Sequence, residues 1–381
     1  MKRYAIWPVA AMLSLALTGC QTNGGGTAGK PGSGEGEFVK LVGKPTGLLL
    51  EPVEALKLGY KIDWATSISL TSRESVYAAK VLGDLLVIVE RPDNVVSAIN
   101  YKDAQMQWRV SVGGPVDRAF APARVDNSII VNTETQIFKL DAIKNGELIS
   151  RETLKSAVNA GPALVGEYAV FGGSDGMVFG HDTRVGYAKW SYKMPAQILV
   201  PAQGAGAQVF IASADGQYAM FQGRSGDLLW RSRVFARVTA PPEVTSVGVF
   251  VASEDNSMYC LHRSTGEDRW IFRYTAPLRE SPIQLQNAVY LPLPSGEIVS
   301  LKVTDGSENW RLKTSDKLIT QDTRGLLFNA GDKLIHRDYR SGKVIEEIPV
   351  KGTLQHVIAG EDGSLVVISP NGSILKLSPV K

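Results

Sequence analysis

The chain has 381 residues, 44% of them hydrophobic and 21% charged, which is the composition of a globular protein with a sizeable core. Its formal net charge of +3 falls to +1 once Lys2 and Arg3 are set aside with residues 1–19. That near-balance excludes the strong basic excess of a nucleic-acid binder, so no nucleic-acid partner is expected.

Lys2-Arg3 forms a short positive n-region, and Tyr4 to Leu17 is an apolar run too short to span a bilayer comfortably. It ends in Leu17-Thr18-Gly19-Cys20, which resembles a bacterial lipobox. Residues 1–19 are therefore expected to be a lipoprotein signal peptide, with Cys20 the lipidated residue that would carry the acyl (palmitate) chains. Residue 21 is Gln rather than Asp, and the resemblance to bacterial lipoproteins then implies sorting to the outer membrane with the protein facing the periplasm. Cys260 is the only other cysteine, so no intramolecular disulfide is expected; its mid-strand position predicts a buried, inert thiol. Residues 20–59 follow as a tether with a short leader. Seven of residues 21–37 are glycine, and a coil of that length reaches about 20–25 Å. Within the leader, Glu51 to Gly59 predicts one or two helical turns, with Pro52 near the start and Gly59 near the end.

From residue 60 the chain repeats itself about every forty residues. The stretch DGQYAMFQGRSGDLLW at 215–230 has counterparts ending at Trp190, Trp270 and Trp310. Each unit reads as an apolar run, a two-residue turn, a second run, a Gly-containing turn and a last run ending in Trp, the pattern of antiparallel hairpins. A further apolar run precedes each, opened by Pro122, Pro162, Pro242 or Pro282, where proline sacrifices no ladder hydrogen bond. Four strands at this period predict an all-β fold, an eight-bladed β-propeller of four-stranded antiparallel blades over 60–381. The last-strand position falls at Trp108, Ser150, Trp190, Trp230, Trp270, Trp310 and about Glu346. The C-terminus supplies only the earlier strands of an eighth unit. The run around Trp64 has no preceding strands of its own, and is expected to complete that blade beside SILKLS and so remove two loose sheet edges. The six tryptophans outside the signal peptide all share one repeat position, which points to blade-to-blade packing rather than cofactor stacking.

The repeat L-D-x-x-T/S-G-x-x-x-W, clearest in LDAIKNGELIS, FQGRSGDLLW, LHRSTGEDRW and LKVTDGSENW, resembles that of quinoprotein-type (PQQ-like) propellers. Lipobox, tether and eight such blades together are similar to the BamB-like lipoproteins of the outer-membrane β-barrel assembly machinery. That resemblance implies a non-catalytic, lipid-anchored scaffold, a monomer within a complex, with a BamA-like barrel assembly protein as partner. The resemblance to quinoprotein dehydrogenases does not extend to their chemistry. The chain has no adjacent cysteine pair and no D-x-D-x-D-G calcium loop. Asp141, Asp182 and Asp338 occupy one repeat position, taken elsewhere by Gln222, His262 and Lys302, which suits a turn cap better than a catalytic group. No cofactor or metal is therefore expected. His181, His262, His336 and His356 lack ligand spacing and are expected to be separated around the ring, on the surface or in turns.

Partner binding is left to the loops that join one blade to the next. Two stand out: 191–201, with Ile198 and Leu199 reading as exposed, and 231–242, with Arg231, Arg233, Phe235 and Arg237. Arginine beside aromatic and aliphatic anchors is an interface composition. In BamB-type proteins the resemblance would imply a Leu/Arg-containing loop and an acidic loop in neighbouring blades. Here 191–201 lacks the arginine, and 231–242 is basic with only Glu243 nearby, so those contact residues are not carried over. A propeller that binds or senses a glycan or cell-wall fragment is the alternative reading, and a quinoprotein dehydrogenase a more distant one.

Overall fold

The computed structural model describes residues 40–41, 48–114 and 116–380. The expected signal peptide, the expected lipidation at Cys20 and the expected glycine-rich tether fall on residues outside the described ones. Eight antiparallel sheets follow in chain order. Blades 1 to 7 span 75–111, 123–153, 163–193, 203–233, 243–273, 283–313 and 317–349. Blade 8 combines His356–Ala359, Leu365–Ile368 and Ser373–Pro379 with the closing strand Tyr60–Ser67. The closing strand runs antiparallel to Ser373–Pro379, with Ile62 opposite Leu377 and Trp64 opposite Lys376, so the two ends of the ring are joined as the sequence predicts. A two-residue strand, Lys40–Leu41, adds in parallel to Trp64–Ala65; the repeat pattern gives no sign of it.

The middle strands of the blades are mostly buried, and throughout in Val249–Ser253 and Ser257–Leu261, because a neighbouring blade covers each face. This explains why they read as unbroken apolar runs rather than alternating ones. Outer strands such as Tyr187–Lys193 alternate exposed and half-buried positions. Pro122, Pro162, Pro242 and Pro282 each stand immediately before a short innermost strand, where no ladder bond is lost.

The tryptophans lock blade to blade. Trp64, Trp108, Trp190, Trp230, Trp270 and Trp310 donate Nε1–H, at 2.8–3.2 Å, to carbonyls in the last turn of the next blade: Tyr101, Ala142, Gly223, Arg263, Val303 and Tyr339. The glycine of the repeat belongs to the same device. Gly146 has φ +70°, and a Cβ there would sit 2.7 Å from Cδ2 of Trp108 in the preceding blade. Glycine thus serves both a left-handed turn and the seat of its neighbour's indole. The repeat's aspartates cap these turns: Asp141 Oδ1 accepts the N–H groups of Ile143 and Lys144, each at 2.9 Å.

Two blade pairs lack the tryptophan, and there the sequence reading of the histidines needs correction. His181 and His336 do lie in different blades, but both are fully buried rather than on the surface. Where blade 2 has Ser150, its hydroxyl donates to Glu152 (2.5 Å), and Glu152 bonds His181 Nε2 of blade 3 at 2.6 Å. At the junction of blades 7 and 8, Asp322 bonds His336 Nε2 at 2.8 Å and accepts from the Tyr60 hydroxyl of the closing strand at 3.0 Å. Burial pushes both carboxyls up, but the hydrogen bonds outweigh it and hold Glu152 and Asp322 below the usual carboxylate range.

The leader forms the helix Pro52–Leu58, ended by Gly59 at φ +87°. It is not free chain. Ala55 and Leu58 are buried together with Leu49, Leu50, Tyr60, Ile348 and Leu354, which packs the leader onto blades 7 and 8. Among the described residues no helix is long and apolar enough to cross a membrane.

Candidate functional site

The loops from each outer strand to the next innermost strand share one end of the ring with the hairpin turns between second and third strands. Backbone bonds tie the two together. Met194 N–H donates to Gly176 O and Val234 N–H to Gly216 O, both at 2.9 Å. Each loop then drives an apolar side chain inward, at Val158, Ile198, Val238 and Leu278, all buried and forty residues apart.

This register corrects the expectation for Ile198. It is a repeated core position, 1% exposed, packed with Val170, Val209 and Phe221 between blades 3 and 4. Loop residues in a polar context read as exposed; only alignment with Val158, Val238 and Leu278 reveals the inward turn. Leu199 is half-buried and lines a cavity bordered by the innermost strands. The five residues singled out by sequence therefore do not form one patch.

Arg233, Phe235 and Arg237 do stay together. The backbone around them is pinned: Val234 and Val238 are buried, Phe235 N–H donates to Asp255 Oδ2 at 3.2 Å, and Glu254 N–H to Arg237 O at 3.0 Å. Phe235 itself is 87% exposed. Arg231, Arg233 and Arg237 are exposed, and none takes part in an ion pair or side-chain hydrogen bond among the described residues. The adjacent acids are already engaged. Asp255 also accepts from Tyr259 Oη at 2.6 Å, Glu254 pairs with Arg279 at 2.8 Å, and Asp215 accepts from Ser213 Oγ at 2.6 Å. Arg231 and Arg233 at the end of blade 4's outer strand and Arg237 in the following loop thus present three uncompensated guanidiniums close in sequence to one exposed aromatic residue, on a backbone fixed at Val234 to Val238.

Elsewhere the titratable groups have structural surroundings. Cys260 lies mid-strand and fully buried, and burial pushes its thiol up to about 11, away from the reactive thiolate. His356 bonds a main-chain carbonyl, that of Val76. Among the described residues no three His, Cys, Asp or Glu side chains cluster closely enough to hold a metal ion.

The fold is shared by solved structures with little sequence in common. BamB from Moraxella catarrhalis aligns with a TM-score of 0.65 at 18% identity, over 82% of this chain and 97% of that one. The computationally designed Ika8 protein gives 0.65 at 13% identity, over 82% and 98%. The C-terminal WD40 domain of Sif2 gives 0.62 at 11% identity, over 83% and 99%. These likenesses concern the fold alone. No curated protein matches the sequence. Residues 64–198 and 198–325, however, match the family described as "Outer membrane protein assembly factor BamB". Blade repeat, tryptophan register and family match agree, and the chain belongs to that BamB family of PQQ-like β-propellers.

Proposed function

We propose that the protein is a non-catalytic scaffold for protein–protein interaction in the cell envelope, acting in outer-membrane β-barrel assembly. Lipid on Cys20 would hold it at the periplasmic side of the outer membrane, and a BamA-like barrel assembly protein is the partner this reading favours. The family's description supports the setting. The observation that carries the reading is Phe235, exposed on a pinned loop, with Arg237 beside it in the sequence and Arg231 and Arg233 at the end of the strand that leads into it. An exposed aromatic on a pinned backbone loses little conformational freedom on binding, and unpaired arginines beside it are the composition of an interface hot spot. Such a surface fits a partner that offers carboxylates around an apolar pocket.

The test is co-isolation from membranes in an extracting detergent, with the bound proteins identified by mass spectrometry. The wild-type protein should bring down a barrel assembly protein. The triple variant Arg233→Glu/Phe235→Ala/Arg237→Glu should fold normally, since none of these side chains is buried, yet lose that partner. Equal recovery of the partner by both would refute the assignment of the site. Recovery of sugar-processing enzymes alone would refute the setting.

A further inference from the structure

The innermost strands border a central channel, and one side chain in it lacks a counterpart. Lys80 pairs in register with Val87 of its blade. The equivalent positions of blades 2 to 5 are Ala123, Ala163, Gln203 and Glu243, and no other blade places a cation there. Among the described residues Lys80 has no hydrogen-bond or ion-pair partner, whereas Arg124 nearby is paired with Asp84. Lys80 is exposed, and it lines three adjoining cavities, so its ammonium is reached by solvent within walls of protein. That enclosure holds its pKa below the ordinary lysine value.

One of those cavities has the size of a small-molecule site. It has a volume of about 440 Å³, within the usual range of small-molecule sites. Its thirteen lining residues, drawn from blades 1 to 4, include one cation, Lys80, and no acid. Tyr77 and Leu199 give it apolar walls, while Asn159 and Gln203 bring side-chain amides. Tyr77 reaches the same cavity as Lys80 because the strand bulges there, between Val76 and Ala78. The Arg91 guanidinium lies 3.3 Å from the centroid of the Tyr77 ring, which adds positive potential to that wall. Glu361 and Asp362 border other cavities that share Lys80, but neither pairs with it, and Asp362 is engaged by the backbone N–H and hydroxyl of Ser364.

We infer that this end of the channel is a binding site for a carboxylate-bearing ligand, the C-terminus of a peptide or an acidic sugar, with its carboxylate on Lys80. An ammonium without a counter-charge in a concave site favours an anion, and a carboxylate arriving there gains a charge-assisted hydrogen bond. Tyr77 and Leu199 would cover the ligand's apolar part, and the side-chain oxygens of Asn159 and Gln203, whose amide nitrogens donate to the Ile198 and Pro201 carbonyls, would accept from its amide or hydroxyl groups. This site is separate from the Phe235 loop, so it stands or falls independently of the partner reading.

The test titrates the full chain by calorimetry and thermal melting with N-acetyl-dialanine, its C-terminal amide, galacturonic acid and galactose. An acid should bind and raise the Tm while its neutral counterpart does not; which acid does so tells the peptide source from the sugar source. Lys80→Met should weaken the acid by about tenfold or more, the value of one charged hydrogen bond, while melting no lower than the wild type. Lys80→Arg should keep part of the affinity, and Phe235→Ala all of it. The inference is overturned if neither acid outbinds its neutral counterpart, or if Lys80→Met binds the acid as tightly as the wild type.

Discussion

Replacing Trp64 with alanine should damage the ring more than the same change at Trp190. Trp64 is only 1% exposed. It packs in a core that joins Ile68, Val366, Ile368 and Ile374 of blade 8 to Val76, Leu86, Ile88 and Ile99 of blade 1. Its Nε1–H reaches the Tyr101 carbonyl at 3.1 Å. Truncating a buried Trp costs about 3–5 kcal/mol in lost burial and cavity formation. The Tyr101 carbonyl also loses its donor, a further cost of about 1–3 kcal/mol unless water replaces it. Trp190 is half-buried, so the same truncation there exposes a smaller cavity. Urea unfolding followed by far-ultraviolet circular dichroism should show the Trp64→Ala midpoint falling well below that of Trp190→Ala. Trp64→Phe, which keeps most of the apolar volume, should lie between Trp64→Ala and the wild type. Trp64→Ala within about 0.5 kcal/mol of the wild type, the range of an unremarkable surface change, would mean that this strand does not close the ring.

Three further outcomes follow from the same structure. Gly146→Ala should cost more than Gly166→Ala: both glycines have positive φ, but a Cβ at Gly146 meets the Trp108 indole and one at Gly166 meets nothing within 4 Å. Equal melting points would remove the glycine from the blade dock. Glu152 and Asp322 have folded pKa values below their unfolded ones, so their contribution to stability is complete above the ordinary carboxylate range near pH 4 and is lost as pH falls through the lower folded values. Glu152→Gln should therefore flatten the loss of stability between about pH 5 and pH 2; an unchanged acid limb would show that Glu152 is not linked to folding. Cys20→Ser should release the protein from membranes into the soluble periplasmic fraction, and retention after a carbonate wash would contradict the lipid anchor.

Much of the architecture is legible in the sequence because the ring repeats one packing solution. Trp64 betrays the closing strand: it stands at the repeat's last-strand position without earlier strands of its own, and Lys376 lies opposite it in the sheet. The site was less legible. Phe235 and its arginines break the repeat and so stand out in the sequence, whereas Ile198 obeys it and reads as surface although it is buried. His181 and His336 escaped because their partners, Glu152 and Asp322, come from positions where the tryptophan register fails. Lys80 and Tyr77 left no signal at all. Innermost strands are often two or three residues long, and a bulge at Tyr77 shifts the alternation by one.

The scaffold reading is tested most directly by a photo-crosslinking amino acid at position 235 in living cells, with the same probe at Tyr187, exposed on blade 3's outer strand, as the control. The account expects position 235 to capture one discrete partner, an outer-membrane barrel assembly protein, and to lose it when Arg233 and Arg237 are reversed to glutamate. No adduct at 235, or the same adducts at 235 and 187, would contradict it.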